Sequence, residues 1–318
     1  MRKILLLRLS SMGDIIHNMP AVTDLAQHLP QVELHWVVEE GFAELPLLHP
    51  AVTRVFPFAL RRWRKSLLTP SSRAEMRALV STLRAEHYDL VIDSQGLLKS
   101  ALLAKLTKAP SCGYDRASSR EALASLFYQK VYEVPWDINA VERYRQLTAK
   151  ALGYKPLPRL DYGLQAPVCD LPWRPDGPYA VLLTATSRDD KLWSEPQWLE
   201  LGRWMNSRGV RAILPWGNVT EQQRAERIAS ALPNAVVPPR LSLGHAARLL
   251  ADARLVVGVD TGLVHLAAAL AIPTLAIYCA SDPARTGVLA DSFAINLGKI
   301  GVPPTAEQVI AEASRVLS

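Results

Sequence analysis

Lys3-Ile4-Leu5-Leu6-Leu7-Arg8-Leu9-Ser10-Ser11-Met12-Gly13-Asp14 decides the fold class. The apolar run from Lys3 to Leu9 reads as a strand buried on both faces, as strands of parallel sheets are. Ser10-Ser11-Met12-Gly13 reads as a tight turn, and a helix is expected from Asp14 to about Leu29. Its apolar positions Ile15, Met19, Val22, Ala26 and Leu29 follow helical spacing. Pro20 falls inside this segment, so a kink or an early break is expected near it. A strand that turns directly into a helix opens an α/β unit.

Outward from that opening the pattern repeats. Leu34 to Val38 and Leu90 to Ile92 read as strands, with helices near Ala74 to Arg84 and Leu97 to Leu106. A second series begins at Tyr179, with strands expected at Ala180 to Leu183, Ala212 to Pro215, Ala235 to Val237, Leu255 to Val259 and Thr274 to Tyr278. Ser194 and Thr220 are N-cap candidates, Thr220 with Gln223 as a capping box, and Gly209 suits a helix end. Between the two series, residues 153–178 carry Pro156, Pro158, Pro167, Pro172, Pro175 and Pro178, which resist regular structure and stiffen a linker. Two α/β domains are therefore expected, 1–160 and 161–318, facing each other across a cleft lined by the carboxyl ends of their strands. A final helix beyond about Pro304 is a candidate for packing back on the first domain.

Composition narrows the function. In 318 residues, 49% hydrophobic and 21% charged, the balance is globular and excludes disorder and collagen-like repetition. The longest apolar stretch, Leu263 to Cys279, contains His265 and Pro273, and reads as a helix followed by a strand rather than a membrane span. Arg8 interrupts the N-terminal apolar run too early for a signal peptide. Cys112, Cys169 and Cys279 are widely separated and form neither a disulfide framework nor a zinc motif. A cytoplasmic protein is expected.

Thirty-six basic and 30 acidic residues leave a net charge of +6. Between Arg54 and Arg84 stand eight basic residues against one acid, Glu75, so the excess is a local patch, densest at Arg61-Arg62-Trp63-Arg64-Lys65. An arginine-rich patch suits bidentate capture of phosphates or carboxylates, or an anionic lipid surface. Nucleic acid is disfavoured, because only Trp63, Phe56 and Phe58 offer stacking and no nucleic-acid module surrounds them.

Three segments carry possible chemistry. The first turn presents Ser10, Ser11 and Asp14. The helix dipole favours an ionised Asp14, which is either a general base for an attacking hydroxyl or only a helix cap. Val257-Gly258-Val259-Asp260-Thr261-Gly262-Leu263-Val264-His265 leaves a strand and opens a helix. Its amides at Thr261, Gly262 and Leu263 suit an anion, and a plain cap with a core histidine is the alternative. Thr184-Ala185-Thr186-Ser187-Arg188-Asp189-Asp190-Lys191 follows another strand and offers hydroxyls and a lysine for a departing phosphate, with a plain solvated loop as the alternative. Asp189 and Asp190 lack a third ligand, so no metal is expected. Glu221, after Trp216-Gly217, is either a ribose acceptor or a first-turn acid.

Taken together, these segments resemble the lipopolysaccharide heptosyltransferases, nearest to the branch that adds the first heptose to the Kdo region of the inner core. The resemblance covers nearly the whole chain. It is carried by Ser10-Ser11-Met12-Gly13-Asp14, Trp36-Val37-Val38-Glu39-Glu40-Gly41-Phe42, Arg61-Arg62-Trp63-Arg64-Lys65, Asp93-Ser94-Gln95-Gly96-Leu97, Leu123-Ala124-Ser125-Leu126-Phe127-Tyr128, Arg188-Asp189-Asp190-Lys191 and Asp260-Thr261-Gly262-Leu263-Val264-His265. It implies a GT-B fold of two Rossmann-like domains and an inverting, metal-independent transfer from ADP-L-glycero-β-D-manno-heptose to Kdo-bearing lipid A.

By that resemblance Asp14 is the general base, and Lys191 supports catalysis at the diphosphate. Ser10, Gly13, Thr186, Ser187, Lys191, Glu221, Asp260, Thr261, Gly262 and His265 serve the donor. Arg61, Arg62, Arg64, Lys65 and Arg120 grip the acceptor. The implied setting is the cytoplasmic face of the inner membrane, through peripheral contact with anionic lipid, with no cofactor and no nucleic acid. A heptosyltransferase acting on a later heptose, or a non-catalytic binder of acidic lipid, are the alternatives.

Overall fold

The computed structural model describes residues 2–66 and 69–317. The chain divides into two compact units, Met1–Leu164 and Gln165–Ser318. The expected boundary at 160 lies in the proline-rich segment 154–178, which holds neither helix nor strand.

The first unit is built on six strands, β1 (Lys3–Leu7), β2 (Glu33–Glu39), β3 (Val52–Phe58), β4 (Leu90–Asp93), β5 (Ser111–Tyr114) and β6 (Lys130–Tyr132). They pair in parallel in the order β3-β2-β1-β4-β5-β6. The helices are α1 (Met12–His17), α2 (Met19–His28), α3 (Leu60–Trp63), α4 (Pro70–Ala85), α5 (Leu98–Thr107) and α6 (Ala140–Leu152). β1 is central, and Ile4, Leu5 and Leu7 have no exposed surface, as a continuous apolar run in a parallel sheet requires.

The single helix expected from Asp14 to Leu29 is two helices. The break falls at Asn18, and Pro20 sits in the first turn of α2, where its missing N–H has no intrahelical partner to lose. α1 begins at Met12, so Gly13 is a helical residue and not part of a preceding turn. The edge strands β3 and β6, the strand β5 and the helix α6 were not apparent in the sequence. α6 is capped by the Asn139 side chain, which accepts from the Val141 amide, and ends at Gly153 with φ +82°. The buried Arg145 guanidinium bonds both carboxylate oxygens of Asp24, at 2.8 and 3.1 Å, and locks α6 to α2.

The second unit holds β7 (Tyr179–Leu183), β8 (Arg211–Ile213), β9 (Leu255–Val259), β10 (Thr274–Tyr278) and β11 (Ala294–Gly298), parallel, in the order β11-β10-β9-β7-β8. Its helices are α7 (Glu195–Asn206), α8 (Val219–Ser230), α9 (Leu243–Ala251), α10 (Gly262–Ala269), α11 (Pro283–Thr286) and α12 (Ala306–Ser314). The segment Leu263 to Cys279 is α10 followed by β10, as its composition implies. The strand expected at Ala235 to Val237 is only a bridge between Val236 and Ile213. The N-cap of α8 is Asn218, whose side chain accepts from the Glu221 amide, so the expected capping box of Thr220 and Gln223 is not formed. α12 packs on α7. Its Val309 and Ala313 have no exposed surface and belong to the second unit's own core. Trp193 and Trp198 meet edge-to-face at 4.8 Å in that core.

Both strand orders reverse direction at one point, between β1 and β4 in the first unit and between β7 and β9 in the second. Loops leaving the carboxyl ends of such a pair diverge and open a crevice, which is where ligands bind in open α/β sheets. The first of these points is braced from β5. Gly113 lies against the Tyr128 ring, and the Tyr128 hydroxyl donates to Asp93 Oδ2 at 2.7 Å. Asp93 Oδ1 in turn accepts the amides of Gln95 and Gly96, at 2.8 and 3.3 Å. A Cβ at position 113 would stand 2.5 Å from the Tyr128 ring. Gly113→Ala is therefore expected to destabilise the protein by about 1–3 kcal/mol through overpacking. Thermal unfolding checks this, and an unchanged midpoint would show that the ring has room to yield.

Candidate active site

The switch point of the first unit gathers groups that are far apart in sequence. Gln95 Oε1 accepts the amides of Leu9 and Ser10, at 2.9 and 3.2 Å, and ties the loop after β4 to the loop after β1. Arg8 is 1% exposed. Its Nη1 donates to the Ser94 carbonyl at 2.6 Å, and its Nη2 stands 2.7 Å from Asp14 Oδ1. The guanidinium lies over the Tyr144 ring, 4.5 Å from its centroid. Tyr144, carried by α6, donates its hydroxyl to Asp14 Oδ1 at 2.8 Å.

Asp14 is the third residue of α1, inside the first turn rather than at the cap. Ser11 is the N-cap, and its amide and hydroxyl donate to Asp14 Oδ2 at 3.1 and 3.0 Å. Burial opposes a charge on Asp14. The guanidinium of Arg8 outweighs it, helped by Arg120, His17 and the Ser11 amide, and the carboxyl is held well below the usual carboxylate range. Arg120 Nη2 is 3.9 Å from Asp14 Oδ1 and half exposed. The structure thus places Arg120 beside the carboxylate. Neither Arg8 nor Tyr144 was among the expected site residues.

In the second unit the hub is Asp260, at the end of β9. Its Oδ2 accepts from Lys191 Nζ at 2.7 Å and from the Ser281 hydroxyl at 2.6 Å, and His265 Nε2 lies 3.7 Å from Oδ1. Its carbonyl accepts the Thr186 hydroxyl at 2.8 Å, joining the loop after β7 to the loop after β9. Burial again opposes the charge. Hydrogen bonds from His265, Lys191 and Ser281 overcome it and hold Asp260 well below the usual range. Thr261 is the N-cap of α10, so the amides of Gly262 and Leu263 occupy the first turn, where no intrahelical acceptor precedes them. Ser281 follows β10 and was missed in the sequence, although its place at a strand's carboxyl end was a usable signal.

Thr186, Ser187 and Glu221 line one cavity of about 730 Å³, together with Asn218 and Arg224. The Glu221 carboxylate accepts from the Gly217 amide at 2.8 Å and from Asn218 Nδ2 at 2.7 Å, which orients it at the start of α8. Arg224 donates to the carbonyls of Thr184 and Trp193, at 3.1 and 2.6 Å, and so clamps both ends of the loop carrying Thr186, Ser187 and Lys191. Asp190 is paired with Arg188. Among the described residues no three His, Cys, Asp or Glu side chains gather to hold a metal ion.

The basic patch is less free than its sequence. Arg62 pairs with Glu75 at 2.8 Å and with Glu40 at 3.2 Å, and Arg54 pairs with Glu86. Glu40 and Glu86 lie outside the basic window and are invisible to charge counting along the chain. Arg61, Arg64 and Lys65 are exposed, with the Arg61 guanidinium 5.6 Å from the Phe42 ring centroid. Lys99 of α5 joins them. Burial, then the charges of Arg61 and Arg64, push its ammonium below the usual lysine range against the pull of Glu39 and Glu121. Among the described residues no helix is long and apolar enough to cross a membrane.

Comparison with known proteins identifies the family of the chain. The model of glycosyltransferase family 9 (heptosyltransferase) matches residues 76–313. Lipopolysaccharide heptosyltransferase 1 of Pseudomonas aeruginosa is 50% identical over 294 residues, covering 91% of this chain and 82% of that protein. The structure of the Escherichia coli heptosyltransferase WaaC with ADP superposes with a TM-score of 0.91 at 41% identity, covering 98% of this chain and 99% of that one. The same enzyme with ADP-2-deoxy-2-fluoro heptose gives a TM-score of 0.88. The chain belongs to glycosyltransferase family 9. It is a glycosyltransferase of the GT-B class, the fold expected from its sequence.

The two aspartates make stability depend on acid. Each has a folded-state value below its unfolded one, near 3.9. The stability they contribute is therefore present above about pH 4 and lost as pH falls further. Urea unfolding between about pH 5 and pH 2 is expected to show a steep acid loss in the parent. In Asp14→Asn the loss should be shallower by about one proton, roughly 1.4 kcal/mol per pH unit. Equal slopes would mean that the fold leaves the proton affinity of the Asp14 carboxyl unchanged.

Proposed function

We propose that the protein transfers L-glycero-D-manno-heptose from ADP-L-glycero-β-D-manno-heptose to Kdo of Kdo-bearing lipid A, with inversion, in lipopolysaccharide inner-core synthesis. The observation that carries the mechanism is Asp14, ionised and reachable from solvent at a switch point. The substrates follow from the relatives, which are named for lipopolysaccharide heptose transfer and, in WaaC, hold ADP and an ADP-heptose analogue.

In this reading the acceptor hydroxyl attacks the anomeric carbon in line. Asp14 takes its proton, and ADP departs with the electron pair of the sugar–phosphate bond. Lys191 and the amides of Gly262 and Leu263 meet the charge that develops on the diphosphate. Thr186, Ser187, Asp260, Thr261 and His265 complete the donor's sugar and phosphate contacts. Glu221, pre-oriented by Gly217 and Asn218, receives the ribose hydroxyls. Ser10 and Gly13 lie beside Asp14 and border the donor. No metal ion and no cofactor is assigned a role.

Arg61, Arg64, Lys65 and Lys99 bind the anionic groups of the acceptor, with Arg120 bridging toward Asp14. Arg62 contributes by holding Glu40 and Glu75 in place. The exposed Arg61, Arg64 and Lys65 also give peripheral attachment to the cytoplasmic face of the inner membrane.

The deciding measurement is a transfer assay with ADP-heptose and Kdo-lipid A, run beside UDP-sugars. Heptose incorporation from ADP-heptose alone is expected, and transfer from a UDP-sugar instead would overturn the donor assignment. Asp14→Ala should lose at least about a hundredfold in kcat, the scale of general-base catalysis, while ADP binding by calorimetry survives. A near-normal rate would remove Asp14 from the mechanism. Arg61→Ala combined with Arg64→Ala should raise the acceptor KM more than about tenfold and leave the donor KM within about twofold, since charge-assisted bonds to the acceptor are lost. Equal effects on both substrates would contradict this assignment.

A further inference from the structure

The reading of Asp14 as base leaves open which of its oxygens receives the proton, and why a carboxylate needs a buried arginine behind it. The geometry separates the two oxygens. Oδ1 has two donors from distant parts of the chain, Arg8 Nη2 at 2.7 Å and the Tyr144 hydroxyl at 2.8 Å, with the half-exposed Arg120 Nη2 farther off at 3.9 Å. Arg8 Nη2 also donates to the Tyr144 oxygen at 2.5 Å, so arginine, tyrosine and carboxylate close a three-membered ring of contacts. Tyr144 is buried, and its hydroxyl is kept protonated by burial and by the neighbouring Asp14 against the opposing charge of Arg8. It can therefore serve Oδ1 only as a donor. Oδ2 is different. Its donors are the amide and hydroxyl of exposed Ser11, three residues away on the same turn. The amide is fixed by the helix start. The hydroxyl hangs on one rotatable bond and can be replaced by another hydroxyl at no net loss of hydrogen bonds.

Resting on the reading of Asp14 as base, we propose that Arg8 and Tyr144 are positioning residues that saturate Oδ1 of Asp14, so that the acceptor's proton is received at Oδ2 in the place of the Ser11 hydroxyl. The acceptor O–H bond breaks toward Oδ2 as its oxygen bonds to the anomeric carbon. The sugar–phosphate bond breaks, with its electron pair leaving on ADP, and the proton on Oδ2 then passes to solvent. Because Oδ1 is held throughout, the carboxylate cannot rotate between the two steps. Arg8 has a second consequence. A guanidinium against Oδ1 makes Asp14 a weak standing base, so the proton moves late, with departure of ADP, and the protonated acid is quickly discharged.

The charged and titratable groups that face Asp14 come from every element around it: Arg8 after β1, His17 on its own helix, Arg120 between β5 and β6, Tyr144 on α6, and Tyr114 on β5 beyond Arg8. Only Arg8 among them is a fully buried permanent charge in contact with the carboxylate. Removing it takes away the strongest influence opposing burial and leaves the half-exposed Arg120 at 3.9 Å, His17 and the Ser11 amide to oppose it. The carboxyl should then be pushed up into or above the ordinary carboxylate range.

The test compares kcat against pH, and both KM values, for Arg8→Met, Arg8→Lys and Tyr144→Phe, with ADP calorimetry as the control for an intact second unit. The parent is expected to show no single-proton acid limb above about pH 4.5, and Arg8→Met to show one at least about 2 pH units above that of the parent. Arg8→Lys keeps the charge and should keep the limb low, with a reduced kcat. Tyr144→Phe should lower kcat about three- to tenfold, the loss of one neutral donor, with the donor KM unchanged. An Arg8→Met enzyme that binds ADP and turns over with the parent's limb overturns the proposal. So does a Tyr144→Phe enzyme with the parent's kcat. If Arg8→Met does not fold, the Tyr144→Phe and Arg8→Lys comparison decides alone. Asp14→Ala at near-normal rate would sink the base itself, whereas an inert Asp14→Ala beside a normal Tyr144→Phe sinks only the positioning.

Discussion

A guanidinium with almost no access to water stands at the carboxyl end of β1. An isolated charge there would cost far more than the fold's net stability, so the surroundings must answer it. The answer to Arg8 organises the first unit's site. The Ser94 carbonyl fixes the loop after β4, the Tyr144 ring and hydroxyl fix α6, and Asp14 supplies the opposing charge from the first turn of α1. Each partner is itself anchored. Ser94 belongs to the loop that Asp93 and Gln95 brace, Tyr144 rides on a helix locked to α2 through Arg145 and Asp24, and Asp14 is bonded by its own N-cap. Breaking any one of these leaves a buried charge short of a partner, which is why the constellation is rigid.

That interaction also marks where the sequence stops being informative. In the sequence Arg8 is only a charge that interrupts an apolar run. Its partners Ser94 and Tyr144 lie 86 and 136 residues away, and no local pattern connects them. The buried strands β1, β9 and β10 were legible, because a strand covered on both faces must be continuously apolar. β3 was not, because it is an edge strand carrying Arg54 and Pro57 on a half-exposed ribbon. The helix break was placed at Pro20 for a sound reason, but proline is tolerated in a first turn, so the chain breaks at Asn18 and restarts before it. The same limit governs charge. Counting along residues 54–84 finds a nearly bare cationic patch, while the fold brings Glu40 and Glu86 onto it from outside. Asp14 and Asp260 stood out in the sequence, and Arg8, Tyr144 and Ser281, which help to hold their carboxylates, did not.

The two units solve one electrostatic problem in two ways. Each places an ionised aspartate at the end of a central switch-point strand or in the helix that follows it, and each needs a cation to offset burial. Asp14 is answered by Arg8, whose planar fork is fixed by further bonds to Ser94 and Tyr144 and whose charge cannot be lost. Asp260 is answered by Lys191, a point charge on a flexible stem whose side chain is 18% exposed. Ser281 and His265 stand beside the same carboxylate.

As the proposed base, Asp14 must keep one geometry through the reaction, so its partner has to be immobile. As the proposed ligand of the diphosphate, Lys191 must hold a group that arrives and then departs, so its resting partner has to be replaceable. An arginine fork opposite Asp260 would bind the carboxylate too well to be shared, and a lysine opposite Asp14 would leave its orientation loose. On the proposed function, the choice of arginine in one unit and lysine in the other follows from which ion pair must survive turnover unchanged and which must yield to a substrate.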